Sequence, residues 1–366
     1  QDIQKMRLGT NMLGVWGASV FVPASLNYNP QRIEYPPDWF YHQPYWKYFH
    51  HYADYARRIA FMNDGGRHHA DIVMFQPTET AWANAQPNYA PKPDWNSNLL
   101  PMINRHYGDM MNRLSQELRD FDIADSYFLD SARVEGKELK IGPESFRVLI
   151  LPPLTAVRRA TVKKIEEFYN AGGTVIAVKR LPTDSMEDGR DDPEIAAALK
   201  RMFGPGGRAF FVAEDINEIF PILDRQLPRD VEPVGGSREG WGVAHRSKDG
   251  LEYYWVVNDT GEAREQTFRL GARGTPEKWD AATGGREALE SRPAAAGTEV
   301  KLSFAPWDAF YVVFGNPEAR VKTPEAPDPG RPAAMEVKGP WRLTPTRKRL
   351  EAPYGMRFHR AWDGLG

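Results

Sequence analysis

No cysteine occurs among the 366 residues of this chain. That single absence excludes disulfides, thiolate metal centres and cysteine nucleophiles together. It fits an exported bacterial protein, and a periplasmic or secreted location is the expectation. No apolar run approaches the roughly 20 residues that span a bilayer. No charged, then apolar, then small-residue signal opens the chain, so no membrane partner is expected. The formal net charge is only −2, which leaves no electrostatic case for nucleic acid. H-E-x-x-H is missing, and no G-x-G-x-x-G follows the first strand of the middle region. No internal repeat is found, and the only biased tract is a proline-rich linker over residues 316–334. The first residues, QDIQKMRLGTN, resemble a helix already under way, so the chain is expected to begin inside a domain.

What is present is ample for two or three domains. Hydrophobic residues make up 41%, and aromatics 12%, with 11 Trp and 15 Tyr. The apolar run NMLGVWGASVF has the texture of a fully buried parallel strand over residues 12–22. A polar and aromatic loop follows to residue 44, then a helix over 45–62 with Trp46, Phe49, Tyr52, Ala53, Ala56 and Ile59 on one face. ADIVMF predicts a buried strand at 70–75, followed by a loop rich in Pro and Asn. A helix is expected over 103–121 and a strand over 123–129, with a small excursion at 134–141. The stretch FRVLILPPLTAVRRATVKKIEEFYNAGGTVIAV reads strand, turn, helix, glycine stop, strand. Helices at 193–203 and 216–227 flank a strand at 209–212. This alternation implies a parallel sheet covered on both faces. After residue 228 the helical spacing vanishes. Short strands separated by DG, DTG and TGG turns predict an antiparallel β-sandwich.

Candidate functional residues cluster near the front. Trp16, Tyr28, Phe40, His42, Gln43 and Trp46 combine stacking planes with hydrogen-bonding groups, the mixture that a sugar pocket needs. The expected substrate contacts are Asn11, Trp16, Tyr28, Asn29, His42 and Gln43, joined by Glu79, which lies just past a strand end near Trp82. The bland alternative is an aromatic lid packed on the following helix, and Trp46 suits that role. Two histidine pairs, His50/His51 and His68/His69, are read as surface or capping residues. Neighbours in sequence point apart and cannot chelate one ion unaided, so no metal site is assigned. Asp54 has Arg57 and Arg58 nearby, which an ordinary helical ion pair explains.

The FRVLIL…VIAV unit is similar to one in glutamine-dependent amidotransferases, which hang a nucleophilic cysteine on it. Here it is expected to be scaffold. NMLGVWGASVF, the segment PPDWFYHQPYWKYFHHYADYARRIAFM and ADIVMFQPTETAWA together resemble the later part of family-106 α-L-rhamnosidases. YYWVVNDTGE, PEKWDAATG and APWDAFYVVFG resemble the β-sandwich that follows in those enzymes, and KGPWRLTP the start of a further β domain. The resemblance implies four parts: the end of a (β/α) barrel at 1–66, and an amidotransferase-like, flavodoxin-like α/β domain without its cysteine at 67–228. A β-sandwich at 229–316 and a linker with the start of a β domain at 317–366 complete them. It implies a glycosidase acting by inversion on rhamnose-containing glycosides, with the catalytic carboxylates upstream of this chain. It implies no cofactor here, calcium in the full enzyme, a carbohydrate partner, and leaves a homo-oligomer open. Where family members show a histidine, this chain has Val15-Trp16-Gly17. A non-catalytic carbohydrate-binding or structural module and a fragment of a family-42 β-galactosidase remain alternatives.

Overall fold

The computed structural model describes residues 3–23, 40, 43–85 and 99–315. The described chain divides into two compact units. One holds residues 3–23, 40, 43–64 and 279–287; the other holds 65–85, 99–278 and 288–315.

In the first unit, α1 (Ile3–Val15) and α2 (Phe49–Asn63) pack together, with a 3-10 turn at Trp46–Tyr48 leading into α2. Met6, Thr10, Asn11 and Gly14 are the buried residues of α1. Positions 6, 10 and 14 recur at the four-residue interval of one helix face. Met6 meets Tyr52 and Ala56 of α2, with Ile3, Phe21, Tyr45 and Phe49 packed around them. The strand expected over 12–22 is therefore overturned: its first four residues are the last turn of α1. Gly17 stops the helix. Its φ is +78°, its amide donates to Gly14 O at 3.1 Å, and Ala18 N donates to Leu13 O at 2.9 Å. That pair of bonds is a Schellman cap, which needs a residue tolerant of positive φ. The buried Asn63 amide then donates to Gly14 O and Ala18 O at 3.0 and 3.1 Å, tying the end of α2 to the turn that closes α1.

The second unit begins with β1 (Arg67–His68), β2 (Ile72–Phe75), α3 (Thr78–Asn84), α4 (Leu99–Gln116), β3 (Phe121–Ala124) and α5 (Ser126–Ser131). A meander follows: β4 (Arg133–Glu135), β5 (Glu138–Ile141) and β6 (Glu144–Phe146). Then come β7 (Val148–Leu151), β8 (Ala156–Val157), α6 (Arg159–Asn170), β9 (Thr174–Val178), β10 (Asp184–Ser185), α7 (Pro193–Phe203), β11 (Phe210–Val212) and α8 (Ile219–Gln226). Five parallel strands lie in the order β3-β2-β7-β9-β11. Numbered by their own sequence this is 2-1-3-4-5, the flavodoxin-like order. Alternate strand residues face opposite layers. Val73, Phe75, Leu149, Leu151, Val175 and Ala177 pack with α6 and α7. Ile72, Met74, Val148, Ile150, Ile176 and Val178 pack with α4 and α8.

Elements also differ from expectation: the loop read after residue 75 carries α3 (Thr78–Asn84), and two element ends move. The helix expected to reach residue 121 ends at Gln116, where Leu118 takes φ +51° and Arg119 N donates to Leu114 O. The strand expected over 123–129 ends at Ala124, because the Asp125 carboxylate accepts from Phe128 N and caps α5.

From residue 231 on, the described strands are antiparallel: β12 (Val231–Pro233), β13 (Trp241–Lys248), β14 (Leu251–Asn258), β15 (Arg264–Leu270), β16 (Pro276–Trp279), β17 (Arg286–Ala288), β18 (Ser291–Ala294), β19 (Gly297–Phe304) and β20 (Ala309–Phe314). One sheet contains β1-β13-β14-β20 in that order; a second runs β12-β15-β19-β18. Val243, Tyr254, Val256, Phe310 and Val312 of the first share one buried cluster with Phe268, Leu270, Val300 and Leu302 of the second.

Candidate functional site

Open parallel sheets bind ligands at the carboxyl ends of their strands, where the strand order reverses. Here that point lies between β2 and β7, and it is stitched shut. Thr80, fully buried on α3, donates from Oγ1 to Ala156 O at 2.8 Å and accepts from Thr155 N and Ala156 N at 3.1 and 3.2 Å. Asn84 donates to Thr155 Oγ1 at 2.8 Å. Thr155 is the last residue of the PPLT turn, so the sequence feature that resembled an amidotransferase is tied to α3. Glu79 sits beside this seam, 4% exposed, with Oε2 lacking a hydrogen-bond partner.

The remaining expected site residues do not converge among the described residues. Asn11 is buried, and its Oδ1 accepts from the Tyr55 hydroxyl in a short hydrogen bond. Thr10 Oγ1 pairs with Tyr52 OH at 2.8 Å, and the Arg7 guanidinium lies 4.6 Å over the Tyr55 ring. These contacts join α1 to α2. Trp16 ends α1 and is 68% exposed. Gln43 belongs to the turn ahead of the 3-10 helix, donating to Phe40 O and accepting from Trp46 N. Phe40, Trp46, Phe49 and Tyr52 form a chain of ring contacts with centroids 5.2–5.9 Å apart. Tyr28, Asn29 and His42 lie outside the described residues.

The histidine pair His68/His69 departs from the surface reading. His68 faces Asp120 Oδ2 at 2.8 Å and Asp122 Oδ1 at 3.0 Å. Burial alone would lower its pKa, but the two carboxylates win and hold it well above the ordinary histidine value. His69 points the other way. Burial, then the neighbouring His245 and Arg67, brings it down to about 4.

His69 opens a ladder of rings across three strands. Its amide donates to His245 O at 2.9 Å, continuing the β1–β13 register. His245 is paired with Tyr254 on β14. The His69 and His245 rings stack at 4.2 Å, and those of His245 and Tyr254 at 4.0 Å. Asp230 anchors the ladder: Oδ2 lies 2.9 Å from His245 Nδ1, and Oδ1 accepts from Tyr254 OH at 3.2 Å. Burial and then Asp230 push the Tyr254 phenol well above its usual value. His69 Nε2 lies 2.8 Å from Ser247 Oγ. A recess beside the ladder is bounded also by Asp71, Arg119 and Pro228. None of this was visible in sequence, because the partners of His69 lie some 178 residues away.

Calcium, which the family resemblance implies, takes six to eight oxygen ligands. Among the described residues the one cluster of three metal-ligating side chains is His69, His245 and Glu252. Two nitrogens and one carboxylate do not suit calcium, and no step is routed through it.

Over 87% of its length the chain shares the fold of a rhamnosidase from Novosphingobium sp. PP1Y, with TM-score 0.64 and 19% identity, covering 30% of that chain. A β-galactosidase from Bacillus circulans sp. alkalophilus is similar over 72% of this chain and 43% of that one, at 14% identity and TM-score 0.49. In sequence, a protein of Formosa agariphila that carries the name β-glucuronidase is 25% identical over 269 residues, 72% of this chain. The chain spans only 21% of that protein. The class, glycoside hydrolase, comes from the family model rather than from these likenesses. Residues 36–292 match the family model of glycoside hydrolase family 106, α-L-rhamnosidase, and the chain belongs to that family.

Proposed function

We propose that this chain is part of an enzyme that hydrolyses α-L-rhamnosidic bonds in polysaccharides or glycosides, with inversion at the anomeric carbon. The family match over residues 36–292 carries the reading. Inversion uses one carboxylic acid to protonate the leaving oxygen and one carboxylate to activate a water on the opposite ring face. Both groups are assigned to barrel strands upstream of this chain, and residues 1–66 to the end of that barrel. What this chain's own residues do supports that division. Asp71 is held by Arg147 in two bonds of 2.8 and 2.7 Å, and Asp54 by Arg57 at 3.0 Å. Glu79 stands alone beside a closed seam. The cysteine-free α/β part acts as a brace, the antiparallel part packs as a sandwich, and the proposed sugar contacts on this chain are Trp16, Tyr28, Asn29, His42 and Gln43, with Trp46 packed as part of the ring chain. Among the described residues no helix is long and apolar enough to cross a membrane. The lack of cysteine supports a periplasmic or secreted setting.

The test compares this 366-residue chain with the longer polypeptide carrying it, on an aryl α-L-rhamnoside and an aryl β-D-glucuronide. The expected outcome is rhamnoside cleavage by the longer protein, first releasing the inverted anomer by NMR, and none by this chain alone. Cleavage by this chain, abolished by Glu79→Gln, would overturn the placement of the acids. Cleavage of the glucuronide alone would overturn the substrate.

A further inference from the structure

Three strands converge on one group of donors. Residues two apart on a strand share a face. His245 and Ser247 therefore lie on the same face of β13, and their partners Tyr254 and Glu252 on the same face of β14. The β1 register brings His69 alongside His245. One ligand atom each from His69, His245 and Glu252 lies within 4.8 Å of those of the other two. We propose that these three side chains bind a divalent transition ion of intermediate softness, zinc being the ion to test.

A second observation points to an ion. His245 is 6% exposed, and its Nε2 has no hydrogen-bond partner. A buried acceptor left without a donor is rare in native proteins. Asp230 sits on the other ring nitrogen at 2.9 Å. A carboxylate there fixes the Nδ1–H tautomer, leaves Nε2 as a lone-pair donor, and raises its basicity; metal-ligating histidines carry this support. Tyr254, stacked on His245 and bonded to the same Asp230, holds both in place. Two imidazoles and one carboxylate, with a fourth position for water, form a zinc-type set, whereas an all-oxygen cation is disfavoured. The two histidine rings now lie 16° from parallel. His245 stays on Asp230, and capture turns the His69 ring about its Cβ–Cγ bond towards His245 Nε2, freeing Ser247 from His69. The ion then pins β1 to the β13–β14 pair.

The experiment uses the full chain, stripped with chelator and titrated with zinc alone. One ion per chain and a raised Tm are expected. His69→Ala and Glu252→Gln should each weaken binding by at least about ten-fold, and Asp230→Asn, acting through His245, by about 10–100-fold. A His50→Ala/His51→Ala variant should bind as the parent does. Cobalt in place of zinc should give the visible absorption of a four-coordinate ion. Should His245→Ala fail to fold, the partly exposed His69 and Glu252 carry the test. Absence of stoichiometric binding by the folded parent overturns the proposal. So does binding that persists in both folded variants, or that is lost with His50 and His51.

Discussion

Asp192 shows how one side chain can serve three elements. Its Oδ1 caps α7 by accepting from Glu194 N and Ile195 N at 2.9 and 3.1 Å, and its Oδ2 lies 2.6 Å from Arg159 of α6. The Ser185 hydroxyl first, then the Ile195 amide and Arg159, bring its pKa down from 3.8 to about 2. The folded state thus binds this proton less tightly than the unfolded chain does. The stabilisation is fully present above the ordinary carboxylate value and is lost as pH falls through it towards about 2. Thermal melts of the parent should fall over that window, and Asp192→Asn should melt lower at neutral pH with a flatter acid limb. Thr80 makes a second case. Thr80→Val keeps the shape but strips the partners from two buried amides, Thr155 and Ala156. A loss of about 1–3 kcal/mol is expected, read as a lower urea midpoint at unchanged slope. The helix start at Pro193 was legible in sequence. The role of Thr80 was not, because its partners are 75 and 76 residues distant.

Among elements, the strand–helix–strand unit ending in AGGT was the most legible. Val162, Ile165, Phe168 and Tyr169 are buried along α6, and β9 follows the glycines. Gly173 matters for close approach rather than for its φ. A Cβ there would meet the Phe168 ring at 2.1 Å, and Phe168 is fully buried. Gly173→Ala should cost about 1–3 kcal/mol by overpacking, measured by chemical denaturation. Element ends were less legible. Gly17 and Leu118 both close helices with positive φ. Leucine in that conformation has no sequence signature, so α4 was read too long. The helix read into the first residues is α1, but the run over 12–22 failed for another reason: an apolar stretch with two glycines suits a buried strand and a buried helix end alike. The four-residue recurrence of Met6, Thr10 and Gly14 on one helix face is the signal that separates the two.

At the level of the whole molecule, the flavodoxin-like strand order and the two antiparallel sheets follow the alternation and turn pattern of the chain. Activity belongs to this scale too. The chain spans 30% of the rhamnosidase whose fold it shares, so hydrolysis is proposed for a longer polypeptide, and the aryl-glycoside comparison tests that proposal. Of the expected sugar contacts, Asn11 and Glu79 are buried and Trp16 is exposed, each in a different local setting. Residue type alone marked them as suitable; nothing in the local pattern said where the chain would carry them.

The amino-acid order by itself determined the periodicities, hence most of the helices and strands outside residues 12–22, and it removed thiol chemistry outright. These are local properties, fixed by backbone geometry and the side chain at each position. Only the tertiary structure decided that His68 keeps a proton between two aspartates while its neighbour His69 loses one at about pH 4. Adjacent strand residues face opposite environments, and those environments are assembled from segments far apart in the chain. The same holds for the ladder of His69, His245 and Tyr254, which exists only once β1, β13 and β14 are paired in register.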